Sequence, residues 1–80
     1  MIQLFNIIDF GDYITCYAIL DGDESKPYFF KISLEGEFAH TLETDLPEDE
    51  FIWRRQVEMA VTNRLKGQDP MPDHITSFWY

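Results

Sequence analysis

The chain changes its hydrophobic period once, and that change limits the folds open to it. From Tyr13 to Leu20 and again from Tyr28 to Leu34 apolar side chains recur at every second position, the repeat of half-buried strands. From Trp53 to Leu65 they recur at three and four, the repeat of a helix with one face on a core. Strands followed by one helix bury their apolar faces against each other as two layers, an α+β arrangement. Eighty residues suffice for one core, so 1–80 is expected to be a single compact domain with sheet over 1–44, helix over 45–67 and tail over 68–80.

Turn residues divide the first part. Ile2 to Phe10 is apolar on both parities (Ile2, Leu4, Ile8, Phe10 and Phe5, Ile7), as expected of a central strand with both faces partly covered. Gly11-Asp12 is a hairpin signal. In Tyr13 to Leu20 the set Ile14, Cys16, Ala18, Leu20 is smaller and more apolar than Tyr13, Thr15, Tyr17, Ile19, and is expected to face inward. Residues 21–27 form a polar loop with Gly and Pro. Tyr28, Phe30, Ile32 and Leu34 then alternate with Phe29, Lys31, Ser33 and Glu35 in a third strand. Beyond Gly36, Phe38 to Glu43 predicts a short fourth strand with Phe38, His40 and Leu42 on one side. The expected sheet is an antiparallel meander of three or four strands. Thirteen aromatic rings can fill a core of this size.

Asp45 and Glu48 have the spacing of a capping box, with Pro47 in the first turn. Trp53, Val57, Ala60, Val61 and Leu65 form one stripe, which Ile52 and Met59 widen; Arg55, Glu58, Thr62 and Lys66 take the opposite side. Gly67 is a natural stop, and Pro70 and Pro72 prevent continuation. The tail from Asp73 to Tyr80 is apolar for a terminus, so it is expected to dock as an edge strand or against the helix.

Charge is distributed as unevenly as periodicity. Residues 1–50 hold twelve of the fifteen acidic side chains against Lys26 and Lys31, a balance of −10, whereas 51–80 balance to +1. Such a surface repels nucleic acid and anionic membrane and attracts basic protein. In a meander, successive turns alternate between the two ends of the sheet. The loop after the second strand and the start of the helix therefore share one end, which should gather Asp21, Asp23, Glu24, Asp45, Glu48, Asp49 and Glu50 with Lys26 as the nearby base. Local chemistry alone also favours acids in turns and at helix N-termini. Phe51 falls beside Arg55 and Glu58 on the polar side of the helix. It is either a contact residue or a hydrophobic staple on the preceding loop.

No residue set names a reaction. Cys16 lies between apolar neighbours, with no positive charge to favour a thiolate. Cys16, His40 and His74 lack the close-spaced pairs of a zinc site. Asp21-Gly22-Asp23-Glu24 is followed by Lys26-Pro27-Tyr28, not by the ligands of a calcium loop. The four glycines are dispersed turn residues, and paired carboxylates on turns lack a cleft for acid–base work. No catalytic residue, metal site or cofactor is assigned. Arg54, Arg55, Arg64 and Lys66 are expected to pair with Glu50 and Glu58 rather than bind nucleic acid. One cysteine cannot close an internal disulfide, MIQLFNIIDF lacks a basic leader, and no apolar run approaches the ~20 residues of a membrane span. A cytoplasmic protein is expected.

The leading functional expectation is a small inhibitor or adaptor that occupies a basic site on a larger, nucleic-acid-handling protein. Its carboxylates would stand where phosphates normally lie, and Phe51 or the last aromatics would supply the apolar anchor. In size, charge and compactness the chain is similar to small acidic anti-CRISPR proteins, phage antirestriction proteins and nuclease immunity proteins. It shares no motif with them residue by residue. The alternative is an assembly module, a homodimer for example, that self-associates through a sheet edge or through Phe78, Trp79 and Tyr80.

Overall fold

The computed structural model describes residues 2–21, 25–34, 38–64 and 73–77. Four strands follow one another as a meander: β1 (Ile2–Asp9), β2 (Tyr13–Leu20), β3 (Tyr28–Ser33) and β4 (His40–Thr44). A 3-10 turn at Glu48–Glu50 runs into the helix α1 (Phe51–Arg64), and the strand β5 (His74–Ser77) returns to the sheet. The strand order is β4-β3-β2-β1-β5, with every neighbouring pair antiparallel. β5 pairs with β1 from Ile2↔Ser77 to Phe5↔His74, so β1 is an internal strand. The other expected features of the tail, including Gly67, the prolines and residues 78–80, lie outside the described residues.

The core lies on one face of this sheet, beneath α1. β1 contributes Ile2, Leu4 and Ile7, β2 contributes Ile14, Cys16 and Ala18, β3 contributes Phe30 and Ile32, and the helix contributes Val57 and Val61. The inward parity of β2 is the smaller one, as expected. Small side chains on β2 and on the helix (Cys16, Ala18, Val57, Ala60, Val61) make up much of this layer. Tyr28 and Trp53 pack against its margin, half-buried. Among the described aromatics Phe30 is the fully buried one, and most of the strand aromatics lie on the other face. The expectation that rings would fill the core is corrected accordingly.

The double apolar parity of β1 fits its internal position, as expected, and a bulge adds a second cause. Phe5 pairs with Tyr17 and Ile8 with Thr15, so two residues, Asn6 and Ile7, stand opposite Cys16 alone. Asn6 has φ 55°, a left-handed backbone that asparagine tolerates better than most residues. This bulge shifts the phase of the strand. Ile2, Leu4 and then Ile7 point inward, while Ile8 and Phe10 emerge half exposed at 50% and 54%.

The helix buries the stripe its apolar pattern predicts, with Val57, Ala60 and Val61 buried and Trp53 half-buried against the core, but the margins of that stripe differ. Ile52 and Met59, expected to widen the buried stripe, are exposed, whereas Glu58 and Thr62 are half-buried beside β4. The reason is the edge of the sheet. As an outer strand, β4 has backbone groups with no strand beyond it to bond. The Thr41 N–H donates to Glu58 Oε2 (2.6 Å) and the Ala39 N–H to Thr62 Oγ1 (2.9 Å), while Arg54 Nη2 donates to the Thr41 carbonyl (3.4 Å). Three helix side chains thus stand in for a missing strand. A second bulge, Leu42 between the pairs Lys31↔Glu43 and Ile32↔Thr41, further irregularises the edge. Phe38, His40 and Leu42 are all exposed.

Candidate functional site

The meander brings the β2–β3 connection and the start of the helix to the same end. Asp21 follows β2 with φ 53°, a turn conformation that suits Asp. Asp45, Glu48, Asp49 and Glu50 follow β4. A cleft of about 300 Å³ opens between these segments, with Asp21, Lys26, Tyr28, Leu46, Glu50 and Trp53 in its lining. Asp21 and Glu50, twenty-nine positions apart in sequence, therefore share one depression. Lys26 is the base in that lining, its Nζ 5.8 Å from the centre of the Tyr28 ring. Five of the seven expected acidic residues fall at this end, namely Asp21, Asp45, Glu48, Asp49 and Glu50, all exposed. Asp23 and Glu24 lie outside the described residues.

The individual roles differ from those read in sequence. Asp45 is not an N-cap. Pro47 occupies the cap position of the 3-10 turn, with no side-chain cap bond. The Asp45 carboxylate instead accepts the Phe29 N–H (2.9 Å), Thr44 Oγ1 donates to the Phe29 carbonyl (2.6 Å), and the Leu46 N–H donates to Thr44 Oγ1 (3.1 Å). Asp45 fastens the end of β4 to β3, and a hydrogen bond to an ionised acceptor is among the stronger kinds. Pro47 in an extended conformation (ψ 146°) hands the chain to a tight turn instead of a regular helical one. Glu48, Asp49 and Glu50 occupy that turn, where the partial positive charge of the N-terminus favours them.

Phe51 and Ile52 follow directly and are 66% and 54% exposed. Phe51 therefore does not act as a staple on the preceding loop. An apolar pair of this size in water beside three carboxylates combines an anchor with a charged surround. Arg54, one helical turn on, is directed to the β4 edge through Thr41, and Glu58 accepts from the same residue. Both are thus engaged across the seam between α1 and β4.

The remaining candidates are dispersed. Cys16 is buried in the core, and loss of hydration pushes its thiol up to about 12; a thiol held protonated at neutral pH is a poor nucleophile. His40 lies on β4 and His74 on β5, the two opposite edges of the sheet. Among the described residues no group of three or more His, Cys, Asp and Glu could hold a metal ion. Among the described residues no helix is long and apolar enough to cross a membrane.

Sequence reasoning missed one surface, the face of the sheet opposite the helix. Phe5 stacks on Tyr17 (5.7 Å between ring centres), and Tyr17 meets Phe29 edge-on (5.8 Å). Both are cross-strand pairs in register, so a stripe of three rings crosses β1, β2 and β3. Phe10 stacks on Tyr13 (5.0 Å), with Lys31 Nζ 4.5 Å from the Tyr13 ring centre. The signal was present: Tyr13, Tyr17 and Phe29 all sit on the parity opposite the small, apolar set. No protein-family model matches this chain, and neither the curated proteins nor the solved structures give a match.

Proposed function

We propose that this chain is a small protein-binding inhibitor that places its acidic end in a basic site of a larger, nucleic-acid-handling protein, in a cytoplasmic setting. The observation that carries this reading is the pair Phe51 and Ile52, bare beside Glu48, Asp49 and Glu50, at the end that also holds Asp21 and Asp45. Carboxylates at helix N-termini have a local reason to exist, but exposed apolar side chains among them do not. Burying Phe51 against a partner would contribute about 1.5–3 kcal/mol. The carboxylates would steer the encounter and select a cationic groove. A net charge of −9 opposes direct binding of nucleic acid, so competition for the partner's phosphate-binding surface is the mechanism.

The test is affinity capture from the native host with four baits: the unaltered chain, Phe51→Ala, Asp49→Lys, and the reversal of Asp23, Glu24, Glu48 and Asp49 to Lys. The expected partner is basic, is captured at low salt, and is released at high salt. It is lost with the four-site reversal and weakened by Phe51→Ala. The purified partner should then lose nucleic acid when the unaltered chain is added. Capture that survives both the reversal and high salt would remove the acidic end from the mechanism.

A further inference from the structure

Among the described residues, no element lies over the face of the sheet turned away from α1, and that face carries several apolar side chains. Its centre is the stripe Phe5, Tyr17, Phe29, and Ile8 and Phe10 extend it beyond the bulge at 50% and 54% exposure. We propose that this face is the contact between two copies of the chain, packed sheet on sheet, and that it is independent of the acidic end.

Two observations select a second copy as the occupant. The first is charge. In a chain of net charge −9, the charged strand residues whose register places them on this face are Lys31 and Glu43, and they are cross-strand partners. Lys31 also lies over the Tyr13 ring. Asp9 falls on the other parity, opposite Ile14, and the remaining described carboxylates are in connections or on the helix. The face is therefore close to neutral. Two copies can approach through it without bringing their carboxylates together, whereas a basic protein or a phosphate backbone would find no opposing charge there. The second observation is size. Five strands about 4.8 Å apart and roughly 20 Å long present about 500 Å² on one side. Two such faces would bury about 1,000 Å² in all, the lower limit of a specific interface. Rings that already brace one another lose little side-chain freedom when covered, and aromatic side chains are what the centre of an interface favours. Aligned packing of two twisted sheets about 10 Å apart suits such a surface. The edge at β4 does not offer the same opportunity, because Glu58, Thr62 and Arg54 already engage its free backbone groups.

Sedimentation equilibrium of the full chain over a range of concentrations tests this, using the unaltered chain, Tyr17→Glu, Ile8→Asp and the double variant Glu48→Lys with Asp49→Lys. The unaltered chain should form a dimer. Tyr17→Glu, at the middle of the stripe, should weaken it at least about thirtyfold, the change a hot-spot residue carries. Ile8→Asp, nearer the rim and half exposed, covers the case in which Tyr17→Glu does not fold, and should weaken the dimer by a smaller factor. The double variant at the acidic end should leave the dimerisation constant unchanged, so failure here and failure of the inhibitor reading are separable. A monomer at concentrations up to about 1 mM would overturn the proposal. So would a dimer unaffected by both face variants, or a monomer that binds a single-stranded oligonucleotide through Tyr17.

Discussion

The two faces of one strand solve opposite problems. On its inner side β2 carries Ile14, Cys16, Ala18 and Leu20, all buried; on its outer side it carries Tyr13, Thr15, Tyr17 and Ile19, partly or largely in solvent. The inner set is small because a helix must seat on it. The outer set is large because no described element lies over it, and broad rings shield one another across strands. Size is therefore a poor guide to depth in this protein. The helix layer is held by burial of small apolar groups and by bonds to an edge strand, while most of the strand aromatics lie partly exposed on the other face.

That contrast can be broken experimentally. The largest effect is expected at Phe30, the fully buried ring of the covered layer: Phe30→Ala should cost about 3–5 kcal/mol of stability in denaturant unfolding. A loss below 1 kcal/mol would mean that the covered face is not the core. Next comes pH. The Cys16 thiol is raised in the folded state from its ordinary value of 9.0 to about 12, so the native protein binds that proton more tightly than the unfolded chain does. Its contribution is complete below about pH 9 and is lost as pH rises towards 12, on the order of 4 kcal/mol in total. Stability measured across that window should fall, and Cys16→Ala should flatten this part of the profile; an unchanged slope would place the thiol in water.

The edge bonds come third. Glu58→Ala leaves the Thr41 N–H without its acceptor and should cost about 1–3 kcal/mol, whereas Glu58→Gln retains an acceptor and should recover most of the loss. Equal losses would show that the charge, not the bond, matters. The smallest change belongs to the open face. Tyr17→Leu keeps apolar bulk but removes both ring pairs, and should lower the stability of the monomer by about 0.5–1.5 kcal/mol. A loss as large as that of Phe30→Ala would erase the distinction between the faces.

Much of this architecture was legible in the amino-acid order, and the places where it was not have physical causes. The meander, the inward parity of β2 and β3, and the meeting of Asp21 with Glu50 at one end all follow from period and turn residues. The helix boundary was misread because Asp45 is drawn to the Phe29 N–H (2.9 Å), a partner sixteen residues back that no local spacing reveals. The margins of the helix stripe were misread because Glu58 and Thr62 satisfy backbone groups of β4, while Ile52 and Met59 lie in solvent. Helical spacing did put Phe51 on the polar side, and it is 66% exposed there; spacing left open only whether it folds back on the preceding loop. The aromatic stripe was hidden by treating rings as interior material; register pairs them only once the loop lengths are known.

The bulge at Asn6 has an evolutionary corollary. It is a surplus residue, so excising it would restore simple alternation, leaving Ile7 under the helix and Ile8 in solvent. An insertion or deletion elsewhere in the first half of that segment would instead turn the remainder inside out. Descendants of this gene could thus lose a codon at that single point with little cost to the hydrophobic pattern, and length variation there would be the mildest the strand could record.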